Sequence, residues 1–506
     1  MAQDDTRDTG ALPPGWLRTT VGELYTVVGG GTPSTKVEEY WQGDIAWISS
    51  ADIYGPKDIR SRRSITEDAI RHSATNLVPA GSLIVVTRVG LGKVALTSVP
   101  ICFSQDSQAL IGREDVILPD YAIYYLSQVV QEFKHESRGT TIAGVTKRQL
   151  VDLPFFLPPL PEQHRIVAEI ETQFTRLEAG VAALKRAQAK LRRYKASVLK
   201  AACEGRLTEE WTETTHHILE PVSQLLERMR SRSTEHHRIR RKSKKLPALN
   251  PNELFPIPAK WEWVRLQDLN LEISDGNYAE KYPRKSEFVH DGVPFIRAVN
   301  IGGYGIRPED MRFISEDKHQ SLKRGQLLLN DILITTRGQI GKLAIVTEQF
   351  VGCNINAQIV RVNTEGFINP RYFLYCLASE HSQREFQRLK TGSTLQQLPI
   401  GQLMQLRLPI PPRGEQNQIV AEVERRLSVV GELEKQVEAA LRRAERLRQA
   451  ILKHAFEGKL VPQDPADEPA SVLLERIKAE RSGQVGKVRK PGRKPDQGEP
   501  EQLALL

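Results

Sequence analysis

Two short loops of this chain carry the same hydroxyl-and-cation signature. Thr87-Arg88 is followed by Gly92-Lys93, and Thr336-Arg337 by Gly341-Lys342, each between apolar runs. A second pair of loops, Arg138-Gly139-Thr140-Thr141 and Lys390-Thr391-Gly392-Ser393-Thr394, sets hydroxyls and basic groups around a glycine. Hydroxyl, guanidinium and ammonium groups donate to phosphate oxygens and to the acceptor edges of bases, and glycine lets the backbone come close, so the chemistry available is binding of nucleic acid. For the Thr-Arg pairs, a turn with solvated charges reads equally well. For the RGTT and TGST loops, binding is the favoured reading. Further cations, Arg60, Arg62 and Arg63 early in the chain and Arg284 and Lys285 later, fall in stretches without counterparts, as two surfaces with different targets would require.

Residues that make or break bonds are not arranged to do so. Lys93 is followed by Val94 and Lys342 by Leu343, so neither Gly-Lys pair offers the magnesium-binding hydroxyl of a phosphate loop. Gly29-Gly30-Gly31 reads as a flexible turn. The Pro-Pro pairs, LPPG, LPPL and IPPR, lack the aromatic that follows in an amino-methyltransferase loop, and no HExxH or GxSxG occurs. The histidines concentrate around His216, His217, His236 and His237, in linkers. Cys102, Cys203, Cys353 and Cys376 are too scattered for a zinc site and read as reduced thiols of a cytoplasmic protein. The polar, acidic start lacks the order of a secretory signal, and no apolar run approaches the ~20 residues that span a bilayer. The chain reads as non-catalytic, with no metal and no membrane association.

The frame that positions these loops is written twice. Pro13, Trp16 and Leu24 return as Pro258, Trp261 and Leu269; IAWISSADI from Ile45 is answered by VPFIRAVNI from Val293; LIVVTRVGLGKVAL from Leu83 is answered by ILITTRGQIGKLAI from Ile332. A helical pattern from Pro119 and Tyr121 recurs at Pro370 and Tyr372. Leu150 and Leu153 recur as Leu403 and Leu406, and EQxxIVAE begins at both Glu162 and Glu415. Short β-branched runs alternate with Gly-rich turns and helices, so each globular half is expected to be mixed α/β, an α+β domain, with Trp16, Trp47, Trp261 and Phe295 in its core.

Each half ends in a Pro-rich stop followed by about 40 residues dominated by Ala, Leu, Glu, Lys and Arg, which predicts a long helix. Ile170, Leu177, Leu184, Leu191 and Val198 repeat every seven residues in the first. Val423, Val430, Val437, Ala444 and Ile451 do so in the second, flanked by Ile419, Leu427 and Leu441. Such heptads indicate coiled-coil packing, most simply an antiparallel pair with pseudo-two-fold symmetry, or a helix exchanged with a partner protein. Both helices stop at Glu-Gly, Glu204-Gly205 and Glu457-Gly458, suited to a left-handed glycine cap. EPVSQLLERMR from Glu220 and EPASVLLERIK from Glu468 then predict two short amphipathic helices. The expected domains are 1–160 and 257–412, each a recognition domain; helical spacers over 161–205 and 413–458; a basic linker with a short helix over 206–256; and a short helix with a disordered charged tail over 459–506.

At 506 residues and a formal net charge of +9, the chain favours polyanionic partners. The combination of two halves, each closed by a Pro-Pro-x-x-EQxxIV helix start and a heptad helix ending in EG[RK]L, resembles the specificity subunit of type I restriction-modification systems, from Pro13 to Leu474. The resemblance implies that each half reads one part of a bipartite, asymmetric double-stranded DNA target. It implies that the helices set the spacer and dock two modification subunits, with Glu162, Gln163, Glu415 and Gln416 joining the heptad residues as packing positions. It also implies that S-adenosylmethionine, ATP and magnesium belong to partners, the modification and restriction subunits, and none to this chain. A coiled-coil scaffold and a stand-alone DNA methyltransferase are the alternatives.

Overall fold

The computed structural model describes residues 12–136, 144–215, 219–232, 246–278, 282–476 and 479. The chain divides into two compact units, Met1–Ala183 with Ala440–Leu506, and Leu184–Ala439. Each unit therefore holds one globular half, the first stretch of the long helix that follows it, and the last stretch of the other long helix.

The first half is built on a four-stranded antiparallel sheet in the spatial order Thr26–Gly29, Ser107–Ile111, Leu83–Val86, Val94–Leu96. All of Leu83–Val86 is buried because both faces of this strand are covered, which is why it reads as an unbroken apolar run. Leu83 and Val85 face Tyr121 and Tyr125 of the Pro119–Glu136 helix, while Ile84 and Val86 face Ile48 and Phe103 on the other side. A smaller sheet, Arg63–Ile65, Ile45–Ile48 and Cys102–Phe103, adds one parallel pair. The second half repeats the four-stranded order with Glu272–Asp275, Ile359–Asn363, Ile332–Thr335 and Leu343–Ile345. Trp16, Trp47, Trp261 and Phe295 are all in the core.

First and last strands of each half pair as a two-stranded ribbon: Leu17–Thr20 with Pro154–Leu157, and Glu262–Arg265 with Arg407–Ile410. Tyr121 and Tyr372 donate to Phe156 O (3.0 Å) and Pro409 O (2.7 Å), tying a helix to each ribbon. The long helices, Leu160–Cys203 and Arg413–Phe456, are 44 residues each, about 66 Å at 1.5 Å per residue. In one unit Ile166, Ile170 and Phe174 from the start of the first helix share a core with Ile451, Ala455 and Phe456 from the end of the second. In the other, Val198, Leu199 and Cys203 share a core with Ile419, Val420 and Val423. Within each unit the helices thus run antiparallel. Leu177, Leu184, Leu191, Val437 and Leu441 are half-buried, as expected where only one helix covers another.

Both helices end in a left-handed glycine, Gly205 at φ +77 and Gly458 at φ +67, and the following amides reach back to Ala201 O and His454 O. The stretches that follow the helices pack where the linear repeat does not predict. Val222, Leu225, Leu226 and Met229, after the first long helix, join the core of the second half; Ala470, Leu473 and Leu474, after the second, join the core of the first. The expected charged tail beyond 479 and the run of basic residues at 236–245 lie outside the described residues. Among the described residues no helix is long and apolar enough to cross a membrane.

Candidate nucleic-acid interface

Glu162 and Glu415 hold each half to the rest of its unit. Their carboxylates are buried and accept from the indole Nε1 of Trp16 (3.0 Å) and Trp261 (2.9 Å). Glu162 also accepts from Gln463 (3.2 Å), beyond the end of the second long helix, and Glu415 accepts from Thr208 (2.8 Å) and Thr212 (3.3 Å), beyond the end of the first. Desolvation raises both carboxyl pKa values above the ordinary range. Gln163 accepts from Leu118 N (2.8 Å), and Gln416 from Asn369 N (2.7 Å), fixing the start of the next helix. The helix-capping glycines complete each clamp: a side chain on Gly205 would meet Pro258, and one on Gly458 would meet Pro13, at 2.4 and 2.3 Å. The EQ pairs are buried and bonded within the chain.

The Thr-Arg loops sit at one end of each four-stranded sheet, where the structure corrects part of the expectation. Thr87 and Thr336 are buried and their hydroxyls turn inward, donating to Asp106 O and Gln358 O at 3.1 Å each. They hold the neighbouring loop and do not face solvent. Lys93 is also taken: its ammonium donates to Ser50 O (2.7 Å) and Ile53 O (2.9 Å). Arg88 and Arg337 face outward, and half-buried Lys342 makes no side-chain hydrogen bond among the described residues.

In the second half the two candidate loops meet. Arg337 bridges Gln397, Gln397 bridges Thr391, and Leu398 N donates to Thr336 O (2.8 Å). The Arg337 guanidinium lies 5.6 Å from the ring of exposed Tyr278, and Tyr278 donates to Asp275 (2.7 Å). Thr391, Gly392, Ser393 and Thr394 are exposed, whereas the Lys390 ammonium is drawn back to Gln387 (2.9 Å). In the first half Arg138, Gly139, Thr140 and Thr141 lie outside the described residues, but the segment that follows is anchored alike, with Val145 N donating to Thr87 O (2.8 Å).

The remaining cations lie on other segments of the chain, and Arg62 pairs with Asp52 (3.5 Å) in the turn that also takes the Lys93 ammonium. Arg60 pairs with Asp58 (2.8 Å) and lies 4.9 Å over the ring of exposed Tyr54; Arg62 reaches the Tyr54 hydroxyl; Arg63 lies 5.4 Å over Trp41. Arg284 and Lys285 are exposed at the single turn Lys285–Glu287. Sequence reasoning missed Tyr54 and Tyr278. The signal for Tyr278 was Gly276, two residues before it, the counterpart of Gly30. A side chain on either glycine would strike backbone, Ser104 O at 2.2 Å or Ile355 O at 2.4 Å. These glycines permit a close crossing and are not flexible turns. All four cysteines are free and buried, and burial pushes the Cys102 thiol up to about 12. Among the described residues no group of three or more His, Cys, Asp or Glu could hold a metal ion.

Comparison with known proteins gives consistent matches. The family described as "Type I restriction modification DNA specificity domain" matches residues 13–184 and 258–443. The EcoBI type I restriction enzyme specificity subunit of Escherichia coli is 28% identical over 399 residues, covering 77% of each chain. The EcoDI specificity subunit, also of Escherichia coli, is 24% identical over 486 residues, covering 94% of this chain and 98% of the other. A solved chain, described under complex assembly and conformational transition of the type I R-M system, shares the fold with TM-score 0.60 at 19% identity, over 89% of this chain and all of that one.

Proposed function

This chain belongs to the type I restriction-modification DNA specificity family, matched twice in tandem, and from that premise we propose that its two halves read the two parts of a split DNA target. The observation that carries the reading is the repeated strand-end loop with an outward arginine, Arg88 in one half and Arg337 in the other, on scaffolds whose surrounding loops differ. Arginine donates to guanine edges and to phosphate, and dissimilar loops on a repeated frame give unlike half-sites. The DNA-facing set comprises Arg88 and Arg337, the RGTT and TGST loops, Lys342, the Arg60, Arg62 and Arg63 cluster beside Tyr54, and Arg284 with Lys285. The domains divide as 1–160 and 257–412 for recognition and 161–205 and 413–458 for spacing, so that helix length sets the unread gap between half-sites. Two modification subunits dock on the helices and restriction subunits join them in the cytoplasm, with methyl donor, ATP and magnesium bound by those partners. Relatives named as specificity subunits support assigning recognition to this chain and chemistry to others.

Mapping methylated adenines in a strain carrying this gene with its modification partner tests the reading. A split motif with two unlike parts and a fixed gap is the expected result. A contiguous motif, or methyl transfer by the purified chain alone, would overturn it.

A further inference from the structure

Leu395 is out of place by ordinary burial rules. Its side chain is 86% exposed, more than any other large apolar side chain among the described residues. Its neighbours Thr391, Gly392, Ser393, Thr394 and Gln396 are all exposed and polar or glycine. The loop that carries it is tightly closed. Thr391 N donates to Gln397 O (2.8 Å), and Gln397 N to Thr391 O (2.9 Å). Gly392 sits at φ +92 with so little room that a side chain there would come 2.4 Å from Leu395 O. Leu398 N then anchors the loop to Thr336 O, one residue from Arg337. A leucine held outward by such a turn, beside an arginine and a tyrosine that also face out, is presented and not merely tolerated. The same place in the first half, after RGTT, holds another large aliphatic residue, Ile142, although the residues after it differ.

We propose that Leu395 reads a thymine by packing on its C5-methyl group in the major groove. The inference rests on the DNA-recognition reading above and names the base chemistry at one position. Leucine offers no hydrogen bond, and the thymine methyl is the apolar feature by which a major-groove edge differs from the others. A polar loop with one aliphatic tip beside Arg337 therefore combines a hydrogen-bonding reader with a methyl reader on adjacent positions.

The test uses the full chain assembled with its modification partner, on duplexes of the mapped target in which each thymine is replaced singly by deoxyuridine. That exchange removes only the methyl. One deoxyuridine should weaken binding by wild type about fourfold, the worth of burying one methyl-sized group. The same exchange should leave Leu395→Ala unaffected, and that variant should bind unrelated DNA as wild type does. Wild-type indifference to every deoxyuridine, or an equal penalty in Leu395→Ala, overturns the proposal. So does Leu395→Ala losing the modification partner with its DNA preferences intact, which would make the loop a protein contact. If wild type does not prefer its mapped target over a scrambled duplex, the recognition reading itself fails, an outcome separate from failure at Leu395.

Discussion

Lys93 and Lys342 follow the same glycine at the same step of the two halves, yet only Lys93 is bound by the fold, through Ser50 O and Ile53 O. The sheet interiors differ as well. Ala109 lies opposite Ile84 in the first half, and Arg361 lies opposite Leu333 at the matching register of the second. Before those strands stand Ser82, bonded to Pro79 O (2.8 Å), and Asp331, accepting from Leu328 N (2.7 Å) and from Arg361 (3.0 Å). One half fills its sheet with small neutral groups; the other buries an ion pair at the same place. Around them the clamps of tryptophan, glutamate and capping glycine are the same. What the duplication kept is the attachment of each half to the helices, while the interior and the loops changed independently.

The ion pair gives the largest predicted effect. Arg361→Ala leaves Asp331, which is fully buried, without its cationic partner and with only the neutral donors Leu328 N and Asn363, and breaking such a pair costs about 3–5 kcal/mol. Adding Asp331→Ser imports the small pair of the first half and should recover most of that loss. Urea unfolding of the two variants measures both; a double variant as unstable as the single one would mean the halves are not interchangeable at this position.

The outward arginines come next. Arg337→Ala and Arg88→Ala should each cost about 1–3 kcal/mol of specific affinity and relax one position, in different half-sites. Competition binding against targets with single base changes separates them. Relaxation in the same half-site would contradict one reader per half.

The matched lysines should separate in kind. Lys342→Ala should lower the slope of log affinity against log salt by about 0.9, the share of one phosphate contact. Lys93→Ala should leave the slope alone and lower the stability of the first half, because two carbonyls lose their donor. Salt titration of both variants decides it, and equal slopes would erase the distinction.

Much of this architecture was legible because it depends on local spacing. Heptads from Ile170 and Val423, the Glu-Gly stops and the alignment of Leu83 with Ile332 follow from periodicity and turn chemistry. The clamps were not legible, since Gly205 meets Pro258 and Gly458 meets Pro13 only after folding carries each helix end to the half beyond it in the repeat. The site was half legible for a similar reason. A threonine at a strand end can face in or out, and the choice for Thr87 and Thr336 is made by carbonyls of Asp106 and Gln358, distant in sequence. Tyr278 escaped because its counterpart is Thr32, so nothing at that position repeats.

The two clamp glutamates, alike in burial, differ in what surrounds them, and a glutamine at each position tests the difference. Both carboxyls titrate above their usual range because burial penalises the charged form. The folded state therefore holds the proton more tightly than the unfolded chain, and this contribution to stability is fully present below the unfolded value and lost as pH rises through the folded one. A glutamine cannot ionise, so at both positions the variant should gain on wild type as pH climbs from about 4.5, the ordinary carboxyl value. At Glu415 the new amide can donate to the hydroxyls of Thr208 and Thr212, which accept as well as donate. At Glu162 it would face the Nε2 of Gln463, already committed to Gly458 O at 2.6 Å, and Gln463 cannot flip without losing that bond. Near pH 7, Glu162→Gln should be less stable than Glu415→Gln by about 0.5–1 kcal/mol, the net worth of one hydrogen bond. Thermal unfolding of both variants across pH 4.5 to 8 measures it; equal stabilities near neutrality would show that Gln463 adapts as freely as the threonines do.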